Sequence, residues 1–148
     1  MSKTTEQYTK VISSCRDIFS KKTKDYGTAW RILRASSLTD QLFIKAQRIR
    51  TLQETGESLV GEGVYEEFQA IVNYCIMALI QLEQKELTEL ELGEERATTF
   101  YDHYAKEAFE LMQRKNHDYG EAWRDMRVSS LTDLIPVSYT HLRAHETG

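Results

Sequence analysis

The chain has 148 residues, the length of one ordinary domain, with 41% hydrophobic and 28% charged residues and a formal net charge of −4. That balance excludes a disordered tail, a collagen-like repeat and a strongly basic polyanion-coating protein. No apolar run approaches the ~20 residues of a membrane span, and no apolar signal core follows the first residues. Cys15 and Cys75 form neither a Cys-x-x-Cys pair nor a disulfide framework. The expectation is a reduced, cytoplasmic, globular protein.

Pro136 is the single proline, and before it the glycines punctuate otherwise periodic segments, the texture of helices joined by short loops. Tyr8, Val11, Ile12, Cys15, Ile18 and Phe19 step by three and four as the buried stripe of a first helix. Leu38, Leu42, Ala46, Ile49 and Leu52 do the same for a second, with Ser37-Leu38-Thr39-Asp40 as a capping-box start and Gly56 as a stop. A third segment, 64–86, carries Phe68, Ile71, Val72, Cys75, Leu79 and Leu82 on one face, with Ile76, Met77 and Ile80 on the other. It therefore reads as buried nearly all round. No stretch alternates convincingly with period two. The class is all-α.

An internal repeat organises these elements. Shifted by 93 positions, residues 25–40 meet 118–133 with 12 of 16 pairs identical: Asp-Tyr-Gly, Ala-Trp-Arg, one Arg, and Ser-Ser-Leu-Thr-Asp. Tyr101, Tyr104, Ala108, Leu111 and Met112 repeat the first-helix stripe. The reading is a tandem repeat of a three-helix unit: a complete first unit over 1–92 and, reached past a Leu/Glu-rich linker near 87–95, a second over 93–135 that stops early. The first helix of that incomplete unit must pack on the first unit, pack on another chain or stay exposed, and self-association is expected. The tail, 136–148, resembles translated sequencing-adapter read-through. Its proline also replaces a position that is helical in the first copy. The tail is therefore expected to be non-native, and His141 and His145, at i, i+4 within it, are not expected to form a metal site.

The densest cluster of chemical groups runs from Lys22 through Asp25, Tyr26, Gly27, Trp30 and Arg31 to Arg34. It is echoed by Asp118, Tyr119, Trp123, Arg124 and Arg127. Two readings stand side by side. In one, Trp30 stacks on a nucleobase while Arg34, four residues on, grips a phosphate. In the other, Gly27 is the left-handed end of the helix, Asp25 bonds the turn, and Trp30 is core, paired with Arg34 by a cation–π contact. Asp40 and Asp133 cap helices or ligate a metal. Lys45, Arg48 and Arg50 make a basic face that is either solvated or phosphate-binding. Glu62, Glu66 and Glu67 open the third helix, where carboxylates suit the helix dipole. Asn73 continues the face of Glu66 into the buried part and either caps a backbone or orients a ligand. No phosphate-cradling glycine loop and no nucleophile elbow is present.

Three strings resemble the nucleotide modification associated domain 1 family of bacteria and phages: Lys-Lys-Thr-Lys-Asp-Tyr-Gly-Thr-Ala-Trp-Arg, Ile-Lys-Ala-Gln-Arg-Ile-Arg-Thr-Leu-Gln-Glu and Ile-Val-Asn-Tyr-Cys-Ile-Met-Ala-Leu-Ile-Gln-Leu-Glu. The resemblance covers 6–135 and is similar to the two-copy bacterial form, cut short in its second copy. It implies a role linked to nucleotide or DNA-base modification. The helix order is also similar to the MazG-like and dUTPase-like pyrophosphatases, whose paired Glu-x-x-Glu and Glu-x-x-Asp motifs bind Mg²⁺, but this sequence departs from those motifs. The resulting expectation is a nucleotide-binding helical protein. Trp30 and Tyr26 would contact the base, and Arg31, Arg34, Lys45 and Arg48 the phosphates. Lys22, Asn73 and the second-copy residues Asp118, Tyr119, Trp123, Arg124 and Arg127 join the same set. Asp25, Glu62 and Glu66 would hold Mg²⁺ where a metal is used. The alternative is a non-catalytic accessory module, possessing no membrane contact, that docks on a base-modifying enzyme or its nucleic acid.

Overall fold

Helix α1, Lys3–Tyr26, begins where the Ser2 hydroxyl accepts the Thr5 N–H at 3.2 Å, a side-chain cap for one of the first turn's free donors. It ends at Gly27, whose φ of 67° and ψ of −154° lie outside the left-handed helical basin, in a region open essentially to glycine. A 3-10 turn over Ala29–Ile32 leads to α2, Ala35–Thr55, which stops at left-handed Gly56. Helix α3 spans Val64–Glu83 and α4 spans Glu94–Tyr119. A second 3-10 turn, Ala122–Asp125, and a helical stretch over 128–135 follow. This computed structural model describes residues 2–56 and 63–135, and among them there is no strand. Glu62, His141, His145 and the whole tail lie outside the described residues.

The expected capping box at Ser37 and Asp40 does not form. Helix α2 starts earlier, at Ala35 with Arg34 as its N-cap, so those residues lie inside its first turns, where Thr39 Oγ1 bonds back to the Ser36 carbonyl at 2.8 Å. Helix α3 agrees with the sequence reading: from Glu67 to Gln81 no residue is exposed. Its flank Leu82, expected in the stripe, is 49% exposed because the chain turns away two residues later. The buried set also includes three polar residues, Glu67, Gln69 and Asn73.

Helices α1 and α4 run antiparallel. Ser20 bonds Glu94 at 3.0 Å, Arg16 holds Asp102 at 2.6 and 3.0 Å, and the Tyr8 hydroxyl donates to the Ala105 carbonyl at 2.6 Å. The core is shared by three helices: Cys15 and Phe19 from α1, Ile76 and Ile80 from α3, Ala97, Tyr101, Tyr104 and Ala105 from α4. The first helix of the repeated half thus packs on the first half, with the Phe109 ring 5.0 Å from that of Tyr8. Ala108 and Leu111, expected in its stripe, are exposed. Ile18, the counterpart of Leu111 in α1, is half-buried where α3 lies alongside, and no described element covers Leu111 in that way.

Candidate functional site

The turn after α1 is stapled to the linker that precedes α4. Thr28, fully buried, donates its hydroxyl to the Leu90 carbonyl at 2.6 Å and accepts the Leu92 N–H at 2.9 Å. Its own N–H donates to Glu91 at 3.1 Å. Arg31 reaches the same linker, donating to the Leu87 carbonyl at 2.5 Å, to the Glu89 carbonyl at 3.3 Å and to the Gln81 amide oxygen. Its guanidinium is committed to these carbonyls, so Arg31 is a structural clamp and not the expected phosphate ligand.

With the turn fixed in this way, a cleft of about 410 Å³ opens between the C-terminal end of α1, the following turn, α2 and α3. That volume falls within the usual range for small-molecule sites. Six of the residues anticipated from sequence line it: Lys22, Tyr26, Trp30, Lys45, Glu66 and Asn73. Lys22 and Tyr26 are exposed at the rim, and the Trp30 ring, half-buried, sits 6.3 Å from that of Phe19. Asn73 is anchored on both sides, its amide donating to the Cys15 carbonyl at 3.1 Å and accepting the Tyr101 hydroxyl at 2.7 Å. The backbone-capping reading of Asn73 therefore holds, although it also borders the cleft.

Other anticipated residues fall elsewhere. Asp25 and Arg34 are exposed and do not line the cleft. Trp30 and Arg34 do not share a face, because the intervening backbone is a 3-10 turn followed by extended Leu33 and not an α-helix. In the repeated half, Tyr119 is 80% exposed and Asp118 lies beside His117 on the surface. Trp123 bonds Asn116 at 3.2 Å under the Arg124 guanidinium. Arg124 itself bonds Glu121 and the Thr4 hydroxyl, and Arg127 is exposed. None of these lines the cleft.

Glu67 was missed as a site residue. Its side chain is 2% exposed, with Arg48 Nε 2.8 Å from Oε1 and Lys45 Nζ 3.3 Å from Oε2. The Arg48 approach is not aligned as a hydrogen bond, and Oε2 has no hydrogen-bond partner. The signal was present in the sequence. Glu67 precedes Ile71 by four residues and so stands on the buried stripe, while Lys45 and Arg48 are three apart on one face of α2. A carboxylate taken from water needs such cations.

The described residues do not supply a Mg²⁺ ligand set. Asp25 stands outside the cleft, Glu66 Oε2 accepts the Gly63 N–H at 3.0 Å, Glu67 is flanked by two cations, and no group of three acidic, His or Cys side chains comes together among them. Among the described residues no helix is long and apolar enough to cross a membrane.

Comparison with known families matches nucleotide modification associated domain 1 over residues 22–82 and 115–146, together more than half the chain. The chain belongs to this family. The first segment of the nucleotide modification associated domain holds every lining residue of the cleft from Lys22 onward, and the second starts 93 residues later, in register with the repeat. That second segment also continues into the tail that the sequence reading set aside. Among curated proteins and among solved structures no match was found.

Proposed function

We propose that the cleft between α1, α2 and α3 binds a nucleotide, in keeping with the family's link to nucleotide modification. One observation carries this reading: a nucleoside-sized cleft joins the aromatic rings of Trp30 and Tyr26 to the exposed ammonium of Lys22. Aromatic rings accept bases of any identity by stacking, and a cation at the mouth suits a phosphate that remains in water. Lys45 lies deeper, beside Glu67, and serves the ligand together with that carboxylate. The chain is further read as two copies of one unit. The recurrence of the turn supports this, with Gly27 at φ 67° and Gly120 at φ 68°, each followed by a 3-10 turn.

The proposal concerns binding; among the described residues no group of three acidic, His or Cys side chains comes together. A thermal-shift panel of common nucleotides on the full chain tests it. A ligand at 100 times its Kd adds about 2.7 kcal/mol of stability. Lys22→Ala, a change at an exposed side chain, is expected to weaken binding about tenfold without lowering the unliganded melting temperature. No shift with any nucleotide, in titrations reaching millimolar ligand, would refute the reading.

A second reading, an accessory module docking on a base-modifying enzyme, is favoured by the apolar side chains exposed near the C-terminal end of the described chain: Trp123, Met126, Val128 and Leu134. Nucleotide-independent co-purification with such an enzyme would select it.

A further inference from the structure

The floor of the cleft contains a charged oxygen without a hydrogen bond. Glu67 lines the cleft at 2% exposure, and its Oε2 has no hydrogen-bond partner although Lys45 Nζ lies 3.3 Å away. A buried carboxylate oxygen left in this state is costly, and a donor supplied by a ligand removes the cost. Two neighbouring amides in the lining are already held within the protein. Asn73 is held by Cys15 and Tyr101, and Gln69 donates to Ser14 at 2.6 Å. Among the described residues, Glu67 Oε2 is the buried side-chain oxygen that lacks a hydrogen-bond partner, and it is the acceptor that waits for a donor.

Resting on the nucleotide reading above, we infer that Glu67 reads the base, accepting a hydrogen bond from an exocyclic amine, so that the cleft prefers amino-bearing bases over their oxo counterparts. The geometry allows the whole ligand a consistent orientation. The base enters between Trp30 and the α3 wall toward Glu67, and the phosphate stays at the exposed Lys22. An oxo group at the same edge would set a carbonyl oxygen against the carboxylate oxygen and leave both without a donor. Sites built to bond a polar group reject analogues lacking it far more strongly than apolar pockets reject a missing methylene. Because the two cations flanking Glu67 keep its charge compensated, the carboxylate needs only this one further donor.

Isothermal titration of the full chain provides the test, using two monophosphate pairs: cytidine with uridine, and adenosine with inosine. The amine-bearing member of at least one pair is expected to bind about tenfold or more tightly than its partner. In Glu67→Gln the carboxamide can donate as well as accept, so the preference is expected to fall to about onefold or to reverse. The wild-type comparison stands even where that variant folds poorly. Binding without discrimination in any pair, or tighter binding of the oxo member throughout, overturns the inference and leaves the nucleotide reading intact. Silence from all four nucleotides removes the nucleotide reading and this inference with it.

Discussion

Asn73 uses both ends of its amide inside the core, giving a proton to the Cys15 carbonyl and taking one from the Tyr101 hydroxyl. Burial pushes the Tyr101 phenol well above its usual range, so it remains a neutral donor. Asn73→Ala would leave that hydroxyl buried without its acceptor and remove the additional donor from the Cys15 carbonyl. A loss of about 2–3 kcal/mol is expected, read from the urea midpoint, and a loss under about 0.5 kcal/mol would contradict it. The sequence placed Asn73 on a buried face but could not show its partners, which lie 58 and 28 residues away. Glu67 escaped for a different reason, since an acid in a first helical turn already has an explanation in the dipole. Cys75 carries a pH prediction at this scale. Burial in α3 pushes its thiol up to about 11 from its ordinary value of 9.0. The folded state therefore holds the proton more tightly than the unfolded chain, and the associated stability is present below pH 9 and lost as pH rises through about 11. Urea unfolding at pH 8.5 and 10.5 should show a loss on the order of 2 kcal/mol that shrinks in Cys75→Ser; equal slopes for the two proteins would refute it.

At the scale of elements, the two copies of the Asp-Tyr-Gly turn offer an internal control. Gly27 and Gly120 share a positive φ and an extended ψ, so alanine at either site meets backbone strain on the order of 1–2 kcal/mol. Their surroundings differ. A Cβ at Gly27 collides with the Glu91 carboxylate that accepts the Thr28 N–H, whereas one at Gly120 meets nothing within 4 Å. Gly27→Ala is therefore expected to lower the melting temperature clearly more than Gly120→Ala. Equal losses would show that the Glu91 contact adds nothing to the hold of this turn on the linker. The sequence announced the turn through its repeat, yet could not distinguish its two duties. Gly27, Thr28 and Arg31 fasten the linker, while Tyr26 and Trp30 face the cleft. A residue string of this kind reads as one motif only until the linker, some 60 positions away in sequence, is seen to lie against it.

Across the whole molecule, apolar spacing revealed which residues are inside but not which helices meet. The stripes of α1, α3 and α4 are each legible, whereas their convergence on one core is not, because local periodicity is silent about partners 80 residues away. Half of the buried cluster comes from α4: Ala97, Tyr101, Tyr104 and Ala105. These pack on Cys15, Phe19, Ile76 and Ile80, which belong to the first half of the chain. Ion pairs such as Arg16–Asp102 also cross this junction, but both members are substantially exposed and such pairs add little. Apolar burial therefore decides how the two halves depend on each other. A fragment ending at residue 92 would keep α1, α2 and α3 while uncovering the four core residues that α4 shields. It is expected to retain helical far-ultraviolet ellipticity, since α2 and α3 still pack together, but to melt broadly and to bind a hydrophobic dye. In the full chain, Tyr101→Ala should cost about 3–5 kcal/mol, as other large aromatic truncations in cores do. A fragment that unfolds as sharply as the full chain, at a similar temperature, would show that the first half carries its own complete core. The junction would then be a docking surface, and Tyr101→Ala should in that case leave the melting of the first half unchanged.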